Sequence, residues 1–559
     1  LQHRKRAFIS VCIKLPRIAK NEENQHHAAF HRRALGVRDM DNEGPIRCFR
    51  AYWRGACDSS TIFSRCDQTT RRDRVTHVEL PIELDAASGI PLHRQLYDGV
   101  RAAILDGRLG PGTRLPSTRA LAEALGVSRS TITSSFAQLH SEGYLEATTG
   151  SGTFVSLDLP DETTGERSHH DGSPSDASIR LSTYGASLAE AGPLEPPRVA
   201  GAIDFRDGRP AFDAFPFAAW RRCIAQSIGA DGAWLDYSAD PAGDPGLREA
   251  IAAYLRRARA VRARAQDVVI VSGSQQAIDI IARVLIGPGD VVALEEPGYL
   301  GAQRTFAANG ADLRAIPVDA DGIRVDLLAG DAAQARLAYV TPSHQFPLGV
   351  VLSAERRRGL LAWAESAGAI VVEDDYDSAY RYEGRPIPAL AGLDVSGRVV
   401  YVGTFSKTMF PALRIGYVVV PPALHGVVLA AKAFSDRQSP ILEQRALATF
   451  IAEGSFERHL RRMRVLYRAR RERLLAALAR AFGDDAEVIG DRAGMHLVVR
   501  LRGADAAFTA RALRAGVALM STDAHHLHGG VAGEYIFGFA EHDEATIDEG
   551  IARLAGVPR

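Results

Sequence analysis

Short apolar runs at residues 268–272, 291–295, 337–341, 370–373 and 399–403 alternate with amphipathic helical stretches from residue 201 to the end of the chain. Few folds accept such a pattern. Parallel strands need a crossover long enough to return, and helices that serve as crossovers must bury their apolar stripes on the sheet. The pattern therefore predicts an α/β domain with a largely parallel sheet over 201–559. A chain of 559 residues exceeds what one hydrophobic core holds together, so the remaining residues are read as separate units.

Upstream lies a different arrangement. His77 to Leu84 alternates as a strand does, and Gly89-Ile90-Pro91 breaks it. A helical stripe runs through Leu92, Leu96, Val100, Ile104 and Leu105, ending at Gly107. Ser117 is placed to cap a second helix that Gly126 stops, and Ser128 to cap a third that Gly143 ends. Two short strands at 144–147 and 153–157 flank Thr149-Gly150-Ser151-Gly152. Three helices and a two-stranded wing predict a winged helix-turn-helix over 78–157. The N-terminal end of the third helix carries Ser128, Arg129, Ser130, Thr131 and Thr133, with no carboxylate before His140. Hydroxyls and a guanidinium suit phosphates and guanine edges in a major groove. Arg119 is placed to grip the backbone, and Thr149 and Gly150 form a wing tip. Residues 158–200, rich in Asp, Glu, Ser, Gly and Pro without a period, read as a linker.

Lysine is scarce. Only Lys407 and Lys432 follow residue 20, and arginine carries nearly all other positive charge. Arginine does not readily lose its proton, so it cannot form an imine. Lys407 stands in Gly403-Thr404-Phe405-Ser406-Lys407-Thr408, after an apolar run and seven residues before Arg414. A lysine that holds pyridoxal phosphate must offer an amine to the aldehyde, while hydroxyls and an arginine neutralise the phosphate. Thr404, Ser406 and Arg414 answer the second need. The ring nitrogen needs an ionised carboxylate; Asp374 and Asp375 are both candidates, with Tyr376 beside them for the ring hydroxyl. Ser274 and Gln275 follow Gly273 at a strand-to-helix junction suited to an anion. Tyr299 supplies a ring to stack on the pyridine.

The blocks Pro111-Gly112-Thr113-Arg114-Leu115-Pro116-Ser117-Thr118-Arg119, Gly126-Val127-Ser128-Arg129 and Gly150-Ser151-Gly152-Thr153-Phe154-Val155 resemble the GntR family of bacterial regulators. The lysine, aspartate and phosphate blocks resemble fold-type I aminotransferases, and from about residue 78 the whole chain resembles the MocR family. That resemblance implies a DNA-binding transcriptional regulator whose aminotransferase-like domain binds pyridoxal 5′-phosphate and senses it, or an amine or amino acid. The alternative is an active aminotransferase with an accessory DNA-binding domain. Carried over by motif, Lys407 is the Schiff-base lysine, Asp374 the ring-nitrogen partner and Tyr376 the ring-hydroxyl neighbour. Tyr299 stacks, and Ser274, Gln275, Thr404 and Arg414 hold phosphate. Tyr237 reaches the neighbouring subunit's cofactor, which implies a homodimer. Arg119, Ser128, Arg129, Ser130, Thr131, Thr149 and Gly150 lie where family members touch operator DNA. The resemblance also places a large subdomain at about 240–430 and a small one at about 431–559.

Two departures bear on turnover. Phe346-Pro347-Leu348-Gly349 stands where many aminotransferases have Asn-Pro-x-Gly, and the strand Glu534-Tyr535-Ile536-Phe537-Gly538-Phe539 lacks the arginine that grips a substrate carboxylate. Steady transamination is therefore not expected, though half-reactions are compatible with the site. His525, His526 and His528 read as a solvated or ligand-facing loop, not a metal site. Four of five cysteines fall in the first 66 residues without zinc spacing. Residues 1–77, rich in Arg and His, read as a poorly structured extension that need not belong to the natural protein. The formal net charge of +0 leaves any basic footprint local. No apolar run reaches the roughly 18 residues that span a bilayer, and a cytoplasmic setting is expected.

Overall fold

The computed structural model describes residues 4–14, 75–148, 150–159, 180–193, 197–228, 232, 236–237, 240–330, 332–384 and 387–559. The chain divides into two compact units, Leu1–Ala177 and Ser178–Arg559.

In the first unit, β1 (Arg4–Lys14) pairs antiparallel with β2 (Val75–Asp85). A strand therefore occupies part of the region read from sequence as a poorly structured extension; residues 15–74 lie outside the described residues. Helices α1 (Leu92–Leu105), α2 (Thr118–Leu125) and α3 (Arg129–Ser141) follow, then the hairpin of β3 (Leu145–Thr148) and β4 (Gly152–Val155). The caps sit where the sequence placed them. Ser117 Oγ accepts from the Ala120 amide and Ser128 Oγ from the Thr131 amide, each worth about 1 kcal/mol. Gly126 ends α2 in the left-handed region at φ 63°. Leu96, Leu121, Ile132, Leu139, Leu145 and Val155 meet in one small core.

The second unit opens with α4 (Thr183–Ala191), a helix inside the stretch read as linker, where Ser182 caps the Gly185 amide. Eight strands then form one sheet in the order β6 (Val268–Val271), β13 (Gly416–Val419), β12 (Val399–Thr404), β11 (Ile370–Asp375), β10 (Leu337–Val340), β7 (Val291–Glu296), β8 (Asp312–Asp319) and β9 (Gly322–Ile323). Strands β12, β11, β10, β7 and β8 are parallel, and β13 runs against both β12 and β6. The sheet is thus mixed. Its parallel strands and β6 all end at one edge.

Alternation along the strands separates two cores. Val372, Val400, Val402 and Tyr339 pack with α5 (Ser274–Leu285) and α6 (Leu300–Ala308) on one face. Val371, Val399, Ala338 and Val340 pack with α7 (Ala354–Ala367) on the other. A four-stranded antiparallel sheet of β14 (Ala486–Ile489), β15 (His496–Leu501), β18 (Glu534–Gly538) and β17 (Met520–Ser521) forms the C-terminal part. The parallel pairing of β5 (Ile203–Asp204) with β16 (Val517–Ala518) ties the start of the unit to it. No helix among the described residues is long and apolar enough to cross a membrane.

Candidate functional site

A cavity of about 980 Å³ opens at the strand ends of the large sheet, the edge where ligands of α/β sheets bind. Seven of the residues expected to hold a cofactor line it with Lys407: Asp374, Tyr376, Tyr299, Ser274, Gln275, Thr404 and Arg414. Tyr237 does not line it; it is 70% exposed, with the Arg437 guanidinium 4.4 Å above its ring.

The strand period settles which aspartate faces the cavity. Consecutive side chains on β11 point to opposite faces. Asp374 shares the face of Val372 and receives the Tyr339 hydroxyl on Oδ2 at 2.7 Å. Its Oδ1 is buried with no partner among the described residues. Burial pushes this carboxyl up to about 7. Asp375 turns the other way, where Arg259 donates to it at 2.7 Å and Ser378 donates at 2.8 Å. Glu373 shares that opposite face and accepts the Leu390 and Ala391 amides.

The anion end is built from backbone. Gly273 ends the β6 turn at φ 96°, and a Cβ there would lie 3.1 Å from the Arg414 guanidinium. Arg414 itself sits in the left-handed region, φ 51°, and donates to the Ser272 carbonyl. Gly416 lies between Val271 and Thr404 in the ladder, so β6 and β12 end level with each other on either side of β13. This brings the free N–H groups at the start of α5 beside Thr404 and Arg414. Thr404 Oγ1 accepts the Ser406 amide at 3.1 Å, which shapes the turn that presents Lys407.

One residue of the cavity, Asp207, carries no signal in the sequence reading. Asp207 Oδ2 lies 3.6 Å from Lys407 Nζ. Burial alone would raise the Asp207 carboxyl; the Lys407 ammonium, with His496 and His525, outweighs it and holds the carboxyl below the usual range. His525 is buried on the cavity wall and packs edge-on against Phe346, so the histidine loop faces the cavity in part. Burial holds its imidazole down to about 4. His344 Nδ1 lies 2.9 Å from Asp377 and 3.0 Å from the Tyr376 hydroxyl, fixing Tyr376 from behind. On β18, Ile536 is buried in an apolar cluster with Phe346 and Val498.

On the winged domain, Arg119, Ser128, Arg129 and Ser130 are exposed on α2 and α3, Gly150 is exposed between the wing strands, and Thr131 is half-buried. Arg129 Nε donates to Thr118 Oγ1 at 3.3 Å, and Ser128 Oγ lies 2.8 Å from both Ser130 Oγ and Thr131 Oγ1. Arg129 and these hydroxyls thus lie together at the start of α3, a helix that carries no carboxylate. Thr149 lies outside the described residues.

Residues 201–554 match aminotransferase class I and II, and residues 92–155 match the bacterial regulatory proteins of the gntR family. The chain is 42% identical to the probable rhizopine catabolism regulatory protein MocR of Rhizobium meliloti, over 84% of this chain and 94% of that protein. It is 30% identical to the HTH-type pyridoxine biosynthesis transcriptional regulator PdxR of Corynebacterium glutamicum, over 85% of this chain and 98% of that one. The fold of the second unit is similar to that of Pyrococcus horikoshii kynurenine aminotransferase, with TM-score 0.60 and 31% identity over 69% of this chain and 96% of that chain.

Proposed function

The chain belongs to the MocR family of GntR-type transcriptional regulators, and from that premise we propose that its cavity holds pyridoxal 5′-phosphate on Lys407 and that the state of this site governs operator binding. The protein is a DNA-binding regulator with an aminotransferase-like domain. The observation that carries the cofactor reading is the orphaned Oδ1 of Asp374, a buried acceptor on the cavity wall. A buried carboxylate oxygen without a partner costs free energy, and a ring N–H relieves that cost.

Each side chain has a defined task. Lys407 gives the amine, and Asp374 accepts the ring N–H while Tyr339 fixes its other oxygen. Ser274, Gln275, Thr404 and Arg414 hold the phosphate at the start of α5. Tyr299 covers the ring, and Tyr376, steadied by His344, meets the ring hydroxyl. When bound, the cofactor supplies an aldehyde that condenses with amines and a ring that withdraws electrons. Tyr237 is too exposed to serve its own cavity and is assigned to the partner's in a homodimer. Two winged heads on such a dimer read half-sites at a set spacing, and a ligand that favours one arrangement shifts that spacing. Arg119, Ser128, Arg129, Ser130, Thr131, Thr149 and Gly150 are assigned to DNA, and a cytoplasmic setting is part of the same proposal.

Ile536 argues against an ordinary aminotransferase, because β18 offers an apolar side chain and no cation for a substrate carboxylate. Band shifts with fragments of the gene's own upstream region, with and without pyridoxal phosphate, test the reading. Specific binding that the cofactor alters is expected; absence of specific binding in both states at moderate salt contradicts it.

A further inference from the structure

Resting on the cofactor reading above, we infer that the effector is a primary amine with no carboxylate on the carbon that bears the nitrogen, and that Asp207 enforces the exclusion. Asp207 is the carboxylate beside the reacting nitrogen, 3.6 Å from Lys407 Nζ. Once Lys407 is joined to the cofactor, Asp207 is left as fixed negative charge where an incoming amine must arrive. An α-carboxylate on that amine would enter the same few ångströms, and juxtaposed like charges cost several kcal/mol.

The cations that line the cavity do not offset this. Arg414 is engaged at the phosphate end with the Ser272 carbonyl. Arg209 donates to Glu541 at 2.7 Å, and Arg198 to Glu541 at 3.2 Å and Asp204 at 3.0 Å. Both guanidinium charges are thus already shared with acids, which weakens their pull on a further carboxylate. Elsewhere the wall is aromatic, with Phe215, Trp220, Phe346 and Phe410, which accepts an apolar or cationic body.

The exchange is balanced. The effector arrives as an ammonium, its nitrogen forms the double bond to the aldehyde carbon, and the bond from that carbon to Lys407 breaks. Lys407 leaves carrying the three protons the ammonium brought, beside Asp207, and no electrons change hands.

The test uses full-length holoprotein, first trapped with borohydride to establish that Lys407 carries the cofactor; failure there removes the cofactor reading itself. Matched pairs that differ only by the carboxylate follow: phenylethylamine against phenylalanine, and putrescine against ornithine. Loss of the lysine-bound visible band and the thermal shift are read together. At least one amine should act at a concentration about tenfold or more below that of its amino acid. Asp207→Asn should narrow that ratio, and Asp207→Glu should keep it. Amino acids acting as well as their amines, no response to any of the four, or an unchanged ratio in a folded Asp207→Asn protein each overturn the proposal. If Asp207→Asn does not fold, the wild-type ratio alone decides.

Discussion

The Tyr339 hydroxyl donates to Oδ2 of Asp374 at 2.7 Å, while Oδ1 of the same buried carboxyl has no partner among the described residues. Tyr339 thus aims the carboxyl and leaves one acceptor for a ligand.

Asp374 should destabilise the cofactor-free protein as pH rises. Its carboxyl moves from 3.8 to about 7 through burial. The folded value lies above the unfolded one, so ionisation opposes folding. The penalty is absent below about pH 4, grows to about pH 7 and is then complete, on the order of a few kcal/mol. Thermal melts of cofactor-free Asp374→Asn should therefore gain on wild type across that window. A difference independent of pH contradicts the assignment.

His496 acts in the opposite sense. Burial takes its imidazole from 6.5 to about 4, so the unfolded chain binds the proton more readily between those values. The stability that neutral His496 supports is full above pH 6.5 and is lost as pH falls toward 4. His496→Gln keeps a donor for the Pro347 carbonyl, which His496 Nε2 reaches at 3.0 Å. Its melts should show a flatter acid limb than wild type; an unchanged limb counts against it.

Arg259 and Asp375 form a buried pair at 2.7 Å. Arg259→Leu leaves the carboxylate without its cation and should cost about 3–5 kcal/mol. Chemical denaturation should register this as a large fall in midpoint. A loss below about 1 kcal/mol, the range of surface pairs, would show that the pair is solvated.

Arg129 and Arg119 should differ in kind. Arg129→Ala is expected to cost about 1–3 kcal/mol on the best operator and to relax base preference. Arg119→Ala should weaken all sequences alike and lower the salt slope by about one. Titrations at several salt concentrations distinguish them; equal loss on specific and unrelated DNA for Arg129→Ala contradicts base reading.

Much of this was legible because the signals are local. The caps at Ser117 and Ser128, the stop at Gly126 and the strands of the large sheet are written within a few residues of where they act. Strand direction is not. The largely parallel sheet is found, with β6, β12, β11, β10, β7 and β8 running one way; that β13, four residues long, runs against β12 and β6 could not be read, because in sequence it looks like any other apolar run. α4 is masked by the polar composition around it, although Ser182 caps it as any N-cap serine would. Asp374 and Asp375 are equal as text; the faces of Val371 and Val372 separate them. Asp207 was invisible because its partner stands two hundred residues away, whereas the histidine loop was read as solvated or ligand-facing, and it took the fold to place His525 on the cavity wall.

The account rests on the bond between Lys407 and an aldehyde cofactor. Full-length protein incubated with pyridoxal phosphate, reduced with borohydride and digested should give one phosphopyridoxyl peptide containing residue 407, with none from Lys432 and none in Lys407→Ala. A colourless protein without that peptide, or an adduct confined to other lysines, would contradict it.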